Sequence, residues 1–172
     1  SLLSYNAIRT SKDSLSEVEF SYLINKINSH FEHRLSARNQ TLQWQNNLPN
    51  KPLALPSELI EMILIQLISN GLKFSEQGQH VAIDLALEQS QLNIKVIDNG
   101  CGIKEQEKTQ IFGAFYQGKH NKDVTLQGSG LGLTIVKESV EQLRGKLSVE
   151  HNEPHGCQFL IKIPITINQG VN

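Results

Sequence analysis

The sequence is short of several residue types, and each shortage removes a class. Two cysteines in 172 residues, Cys101 and Cys157, are too few for a disulfide scaffold or a zinc cluster. With 16 basic and 17 acidic side chains the net charge is −1, so no basic footprint for nucleic acid or an anionic membrane surface exists. No stretch approaches the roughly 18 consecutive apolar residues of a membrane span, and the opening SLLSYNAIRTSKDS lacks the apolar core of a signal peptide. There is no internal repeat and no low-complexity segment. The expectation is a soluble, cytoplasmic globular domain, with neither nucleic acid nor direct membrane contact among its partners. Its length suffices for one core.

Glycine, by contrast, is crowded. Seven of the 12 (Gly100, Gly102, Gly113, Gly118, Gly128, Gly130 and Gly132) fall within residues 100–132. An even spread would put about two there, and glycine gathers where backbone turns sharply or approaches something closely. The chemistry is expected in that segment.

Apolar residues at Phe20, Ile24, Ile27, Phe31 and Leu35 mark one face of a helix from Leu15 to about Leu35. Thr41–Gln45 reads as a short strand. Pro56, with Glu58 in the first turn, opens a helix that should reach Lys73. Val81, Ile83, Leu85 and Leu87 alternate, as do Leu92, Ile94 and Val96, which predicts a hairpin. A brief helix is expected around Lys104–Phe112, then a polar stretch, then a helix from near Gly130 with Gly145 as its C-cap. Lys146–Glu150 and Cys157–Ile165 read as a closing strand pair. Hairpins make the sheet largely antiparallel, with helices on one face, a two-layer α/β sandwich of the α+β class. Residues 1–15 form an arm, 16–165 the domain and 166–172 a tail.

Three places carry polar groups that folding alone does not call for. On the helix ELIEMILIQLISNGLK, Gln66, Asn70 and Lys73 are spaced by four and three, hence on one face. Such a stripe is ordinarily solvated. Here Ile63, Ile65, Leu67 and Ile68 argue for deep packing, and a polar stripe on a packed helix needs partners, which a metal and a phosphate would supply. In Val96-Ile-Asp-Asn-Gly-Cys-Gly-Ile, Asp98 is either a turn residue capping its own backbone or a carboxylate accepting from an amine such as adenine's. Gly128-Ser-Gly-Leu-Gly-Leu leads into the last helix, where free N–H groups and the helix dipole favour an anion. Close packing is the alternative use of those glycines. Their spacing does not fit the Rossmann fingerprint, and the Walker pattern occurs nowhere.

In order along the chain, QLISNGLKF (from Gln66), DNGCGI (from Asp98), IFGAFYQ (from Ile111) and GSGLGL (from Gly128) resemble the N, G1, F and G2 boxes of the catalytic and ATP-binding domain of sensor histidine kinases. The resemblance covers roughly residues 16–165. It implies the GHKL, or Bergerat, ATP-binding fold: a mixed, mostly antiparallel sheet of about five strands backed by three main helices, with ATP held under a flexible lid. It implies that Asn70 ligates Mg²⁺ through its amide oxygen, a hard donor. Lys73 would reach a phosphate and Phe74 would pack on the adenine. Asp98 would accept from the adenine N6 amine, with Gly100, Gly102 and Ile103 close to the base. Gly128, Ser129, Gly130, Leu131, Gly132 and Leu133 would anchor the lid and turn N–H groups to the phosphates. The lid would be residues 116–127, hinged by Phe112 and Phe115, with Phe115 and Tyr116 also at the nucleotide.

Some positions depart from the family pattern. Gln66 stands where hydrolytic relatives often carry a water-activating Glu, and Gln117 where many kinases carry Arg. Gly71 replaces the usual Ala, at about 1 kcal/mol of helix stability. None of the six histidines has the acidic neighbour and following proline of a phosphoacceptor, and His30 and His33 are expected on the helix surface. The implied activity is transfer of the γ-phosphoryl of Mg-ATP to a histidine on a dimerisation domain outside this chain. A response regulator or receiver domain would act downstream, and the whole protein would be anchored in the inner membrane. Gln66 cannot take a proton, which suits a histidine nucleophile, largely neutral at pH 7, better than water. The rival readings are a GHKL ATPase of the topoisomerase, chaperone or mismatch-repair kind, a related serine kinase, and a nucleotide-binding module without catalysis. Cys101 is expected as a small packed side chain; the alternative is an accessible thiol whose modification blocks ATP.

Overall fold

The computed structural model describes residues 17–102, 104–108, 110 and 132–165. Helix α1 (Phe20–Arg38) starts where the Glu19 carboxylate accepts from the N–H groups of Ser21 and Tyr22, and it ends at Asn39 in the left-handed region, φ 51°. The expected start near Leu15 is therefore too early: Val18 instead bridges to Leu53. Next come β1 (Thr41–Asn47), α2 (Ser57–Phe74), β2 (His80–Glu88) and β3 (Gln91–Ile97). A single 3-10 turn at Glu105–Glu107 is the described part of the brief helix expected there. Helix α3 (Gly132–Gln142), β4 (Lys146–His151) and β5 (Cys157–Pro164) complete the chain.

The five strands lie in the order β1-β2-β3-β5-β4. β1 runs parallel to β2, with Thr41 opposite His80, because α2 carries the chain back between them; the other three pairings are antiparallel. The sheet is thus mixed and mostly antiparallel. The β2–β3 turn places Gln89 and Ser90 at φ 50° and 61°, the sense of twist a two-residue hairpin requires.

Period-2 alternation gives the sheet one apolar face. Val81, Ile83 and Leu85, Leu92, Ile94 and Val96, and Phe159, Ile161 and Ile163 join Ile27 and Phe31 of α1, Ile63, Leu64 and Leu67 of α2, and Val136 and Val140 of α3 in one core. All three helices cover that face. β3 is the middle strand, so its C-terminal end delivers Asp98 to the centre of the sheet, beneath α2. Among the described residues no helix is long and apolar enough to cross a membrane.

Candidate functional site

Asp98 follows β3 and is 4% exposed. Its N–H donates to the Cys157 carbonyl at 2.9 Å, extending the β3–β5 ladder by one residue. Its Oδ1 accepts from the N–H groups of Gly100 at 2.9 Å and Cys157 at 3.1 Å. Among the described residues Oδ2 has no hydrogen-bond partner. Turn capping thus occupies one carboxylate oxygen, fixes the rotamer and leaves the second oxygen for another donor. Burial pushes the carboxyl above its ordinary value, while the two backbone hydrogen bonds oppose the shift. The neighbouring Cys157 thiol is pushed up by burial and then by the Asp98 charge.

The loop after Asp98 rests on the β4–β5 turn. Asn152 Nδ2 donates to the Asp98 carbonyl at 3.1 Å, while the Asn152 N–H closes its own turn on Gly156 at 3.0 Å. Gly156 has φ 112°, and a Cβ there would collide with the Asp98 carbonyl oxygen. Gly102, at φ 79°, holds a backbone conformation that side-chain-bearing residues rarely adopt, and a Cβ would lie a tight 3.2 Å from the His151 ring. Sequence reasoning treated His151-Asn-Glu-Pro-His-Gly only as a connection. A glycine directly ahead of a strand was the available signal, but it does not say which backbone comes close.

The other side of the site is the C-terminal half of α2, where Gln66, Asn70, Lys73 and Phe74 are half-buried and Gly71 is buried. A Cβ on Gly71 would stand 3.1 Å from a Val81 methyl and 3.5 Å from Asp98 Cβ. A Cβ on Gly100 would stand 2.6 Å from the Phe74 carbonyl oxygen. Helix and loop therefore meet backbone to backbone. Gly71 is more than a helix-propensity loss, because it admits this close approach. Gly132, which opens α3, would carry a Cβ 2.7 Å from Gln66 Oε1. The described parts of the N, G1 and G2 segments converge on α2. Lys73 Nζ sits 5.4 Å from the centre of the Phe74 ring, and burial, then Arg34, lower its pKa.

Leu133 is half-buried on α3. Ile103, Phe112, Phe115, Tyr116, Gln117, Gly128, Ser129, Gly130 and Leu131, with the lid segment 116–127, the arm 1–15 and the tail 166–172, lie outside the described residues. One expectation is corrected. Cys101 is exposed rather than packed, its Sγ 3.6 Å from the Gly102 carbonyl, because the loop turns the residue between its two glycines outward. His30 and His33 are exposed, as expected. Among the described residues no group of three His, Cys, Asp or Glu side chains could hold a metal.

Comparison with known proteins agrees with this geometry. Residues 56–167 match the family described as histidine kinase-, DNA gyrase B-, and HSP90-like ATPase. The autoinducer 2 sensor kinase/phosphatase LuxQ of Vibrio cholerae is 41% identical over 112 residues, covering 63% of this chain and 13% of that protein. The sensor protein CiaH of Streptococcus pneumoniae is 29% identical over 154 residues, 90% of this chain and 34% of its own length. The chain thus spans about a third or less of these relatives. Among solved structures, the nucleotide-free catalytic domain of histidine kinase ThkA superposes with a TM-score of 0.78 at 24% identity, over 90% of this chain and 97% of that one. ShkA, solved with AMPPNP, superposes at 0.76 and 23% identity, over 96% of this chain and 34% of that one. At such identities the likeness establishes the fold.

Proposed function

Because the chain belongs to the histidine kinase-, DNA gyrase B- and HSP90-like ATPase family, we propose that it is the ATP-binding catalytic domain of a two-component sensor histidine kinase. It passes the γ-phosphoryl of Mg-ATP to a histidine on a dimerisation domain outside this chain. The domain proper spans residues 16–165 and works on the cytoplasmic side of a membrane-anchored sensor, with a response regulator or receiver domain downstream. Asp98 carries this reading: a buried carboxylate held by one oxygen and open at the other suits the adenine N6 amine, and guanine offers a carbonyl at that position instead.

The chain's own residues then divide the work. Gly100 and Gly102 bring backbone close to the base, and Phe74 packs beside it. Asn70 presents an amide oxygen, the hard donor magnesium takes alongside phosphate oxygens. Bound there, Mg²⁺ supplies charge neutralisation across the phosphates. Lys73, on the same helix face, reaches a phosphate, and an anion beside it restores the charged form that burial disfavours. The amide of Gln66 accepts no proton, and its Oε1 lies against Gly132. That arrangement supports a nucleophile needing no base, such as a neutral imidazole.

The test is to incubate the chain with Mg-ATP and a histidine-bearing dimerisation domain of a sensor kinase. Acid-labile phosphate on that partner, lost when EDTA is added, is the expected result. Free phosphate without phosphoprotein would make the chain an ATPase, acid-stable phosphate a serine kinase, and nucleotide binding alone a module without catalysis.

A further inference from the structure

The C-terminal half of α2 and the two residues after it are tied to the end of α1 and the residues that follow it by three side chains, those of Arg34, Arg38 and Gln40. Arg34 forks onto Ser69, Nη1 to Oγ at 3.0 Å and Nη2 to the carbonyl at 3.2 Å. Arg38 donates to the carbonyls of Leu72 at 3.4 Å and Ser75 at 3.2 Å. Gln40, 3% exposed, donates through Nε2 to those same two carbonyls and to that of Glu76. Carbonyls at a helix C-terminus lack intrahelical partners and form the negative end of the dipole, so Arg38 and Gln40 satisfy a need of the fold.

Arg34 meets no such need. Ser69 lies five residues before the end of α2, where the helical pattern already pairs its carbonyl with the N–H of Lys73. Yet a half-buried guanidinium is held there, desolvated and beside Arg38, and both effects lower its pKa. Lys73 stands four residues after Ser69 and three after Asn70. It is therefore the shared neighbour of Arg34's anchor and of the proposed metal ligand. Among the described residues none of Arg34, Arg38 and Lys73 forms a salt bridge; the pairs that occur are Lys26–Glu61 and Lys108–Glu105. Three cations gathered without a carboxylate make a cluster that an anion completes.

We propose that Arg34 is a positioning residue for the phosphate end of the nucleotide: its fork on Ser69 holds a second positive charge beside Lys73, which favours a polyphosphate over the bare nucleoside. This rests on the nucleotide reading above.

Calorimetric titration of Mg-ATP and of adenosine into the chain tests it. Wild-type protein binds Mg-ATP more tightly than adenosine. Arg34→Gln, which keeps a donor for Ser69 and removes the charge, loses Mg-ATP affinity on the order of tenfold, with the loss shrinking as salt rises. Its adenosine affinity stays within about twofold, because the charge acts on the phosphates and Arg38 and Gln40 still hold the helix end. Arg34→Lys keeps most of the ATP preference but not the two-pronged anchor. Ser69→Ala, which deletes one prong, gives a smaller loss of the same kind and decides the matter should Arg34→Gln not fold. Equal losses for both ligands would make Arg34 purely structural, and no loss would give it no role; either overturns the proposal while wild-type ATP binding leaves the nucleotide reading standing. Absence of ATP binding by the wild type would overturn both.

Discussion

The two sides of the site are built from different materials. Around Asp98 most of the contacts involve main chain: N–H groups of Gly100 and Cys157 on Oδ1, the Cys157 carbonyl on the Asp98 N–H, and glycines at 100 and 156 that let backbones touch. Around Asn70 and Lys73 the ties are side chains, that of Arg34 on Ser69 and those of Arg38 and Gln40 on the end of α2. A main-chain seat has no slack, so a single added methyl must displace a whole loop. A side-chain seat yields by degrees, since each donor can be shortened or exchanged while the others hold.

Substitutions separate the two behaviours, and the largest effect belongs to the main-chain side. Gly156→Ala places a Cβ onto the Asp98 carbonyl at φ 112°, where side-chain-bearing residues rarely fit. It should cost about 3 kcal/mol or more, read from denaturant unfolding, and abolish nucleotide binding. A loss below about 1 kcal/mol would mean that the β4–β5 turn does not seat the loop.

Asp98 also makes the site respond to acid. Its folded value is raised above the usual 3.8. In the nucleotide-free protein the protonated carboxyl is therefore favoured relative to the unfolded chain: that stabilisation is complete below the ordinary aspartate value and lost as pH rises through the raised one. Nucleotide needs the ionised form. Affinity should fall with decreasing pH through the raised value, earlier than for an unperturbed aspartate, and Asp98→Asn should erase this limb. A titration of ATP affinity between neutral pH and the acid limit of folding checks it, and a flat profile would contradict it.

Smaller again is Asn152→Ala, which removes one donor from the Asp98 carbonyl. It should cost about 0.5–1.5 kcal/mol of stability and weaken ATP binding in proportion, measured by unfolding and titration on one sample. Smallest is Gly71→Ala. Helix propensity would gain about 1 kcal/mol, but the new methyl meets Val81 at 3.1 Å, so the two effects should nearly cancel. A clear gain in melting temperature would show that the slot between α2, Val81 and Asp98 is looser than its geometry says.

Legibility in the sequence followed the same division. Alternation predicted β2 and β3 because each buries one face, and Pro56 with Glu58 in the first turn placed α2 almost to the residue. Gly100 and Gly102 were readable because glycine crowds where backbone comes close, whereas Gly156, which comes closest to Asp98, was not. Asn152 and Arg34 were not readable, since their roles depend on which distant backbone the fold brings to them. Cys101 was misjudged for a related reason: Gly-x-Gly announces a turn without saying which way the middle side chain points. The start of α1 was placed early because periodicity continues past a cap, and only the Glu19 contacts mark the first turn. The parallel pairing of β1 is a property of the crossover through α2, which no local pattern reports.

Recognition of adenine rests on the open oxygen of Asp98, and discrimination of the base tests it most directly. Wild-type protein and Asp98→Asn should be titrated with Mg-ATP and with the triphosphate of purine riboside, which lacks only the exocyclic amine. Oδ1 of the asparagine can still accept from Gly100 and Cys157, so the fold should persist and the phosphate contacts should be common to all four titrations. Wild type should prefer ATP by the worth of one hydrogen bond to a charged group, about 1.5–3 kcal/mol or roughly 10- to 150-fold, and Asp98→Asn should show almost no preference. An undiminished preference for ATP in Asp98→Asn, or none in the wild type, would mean that another group reads the base.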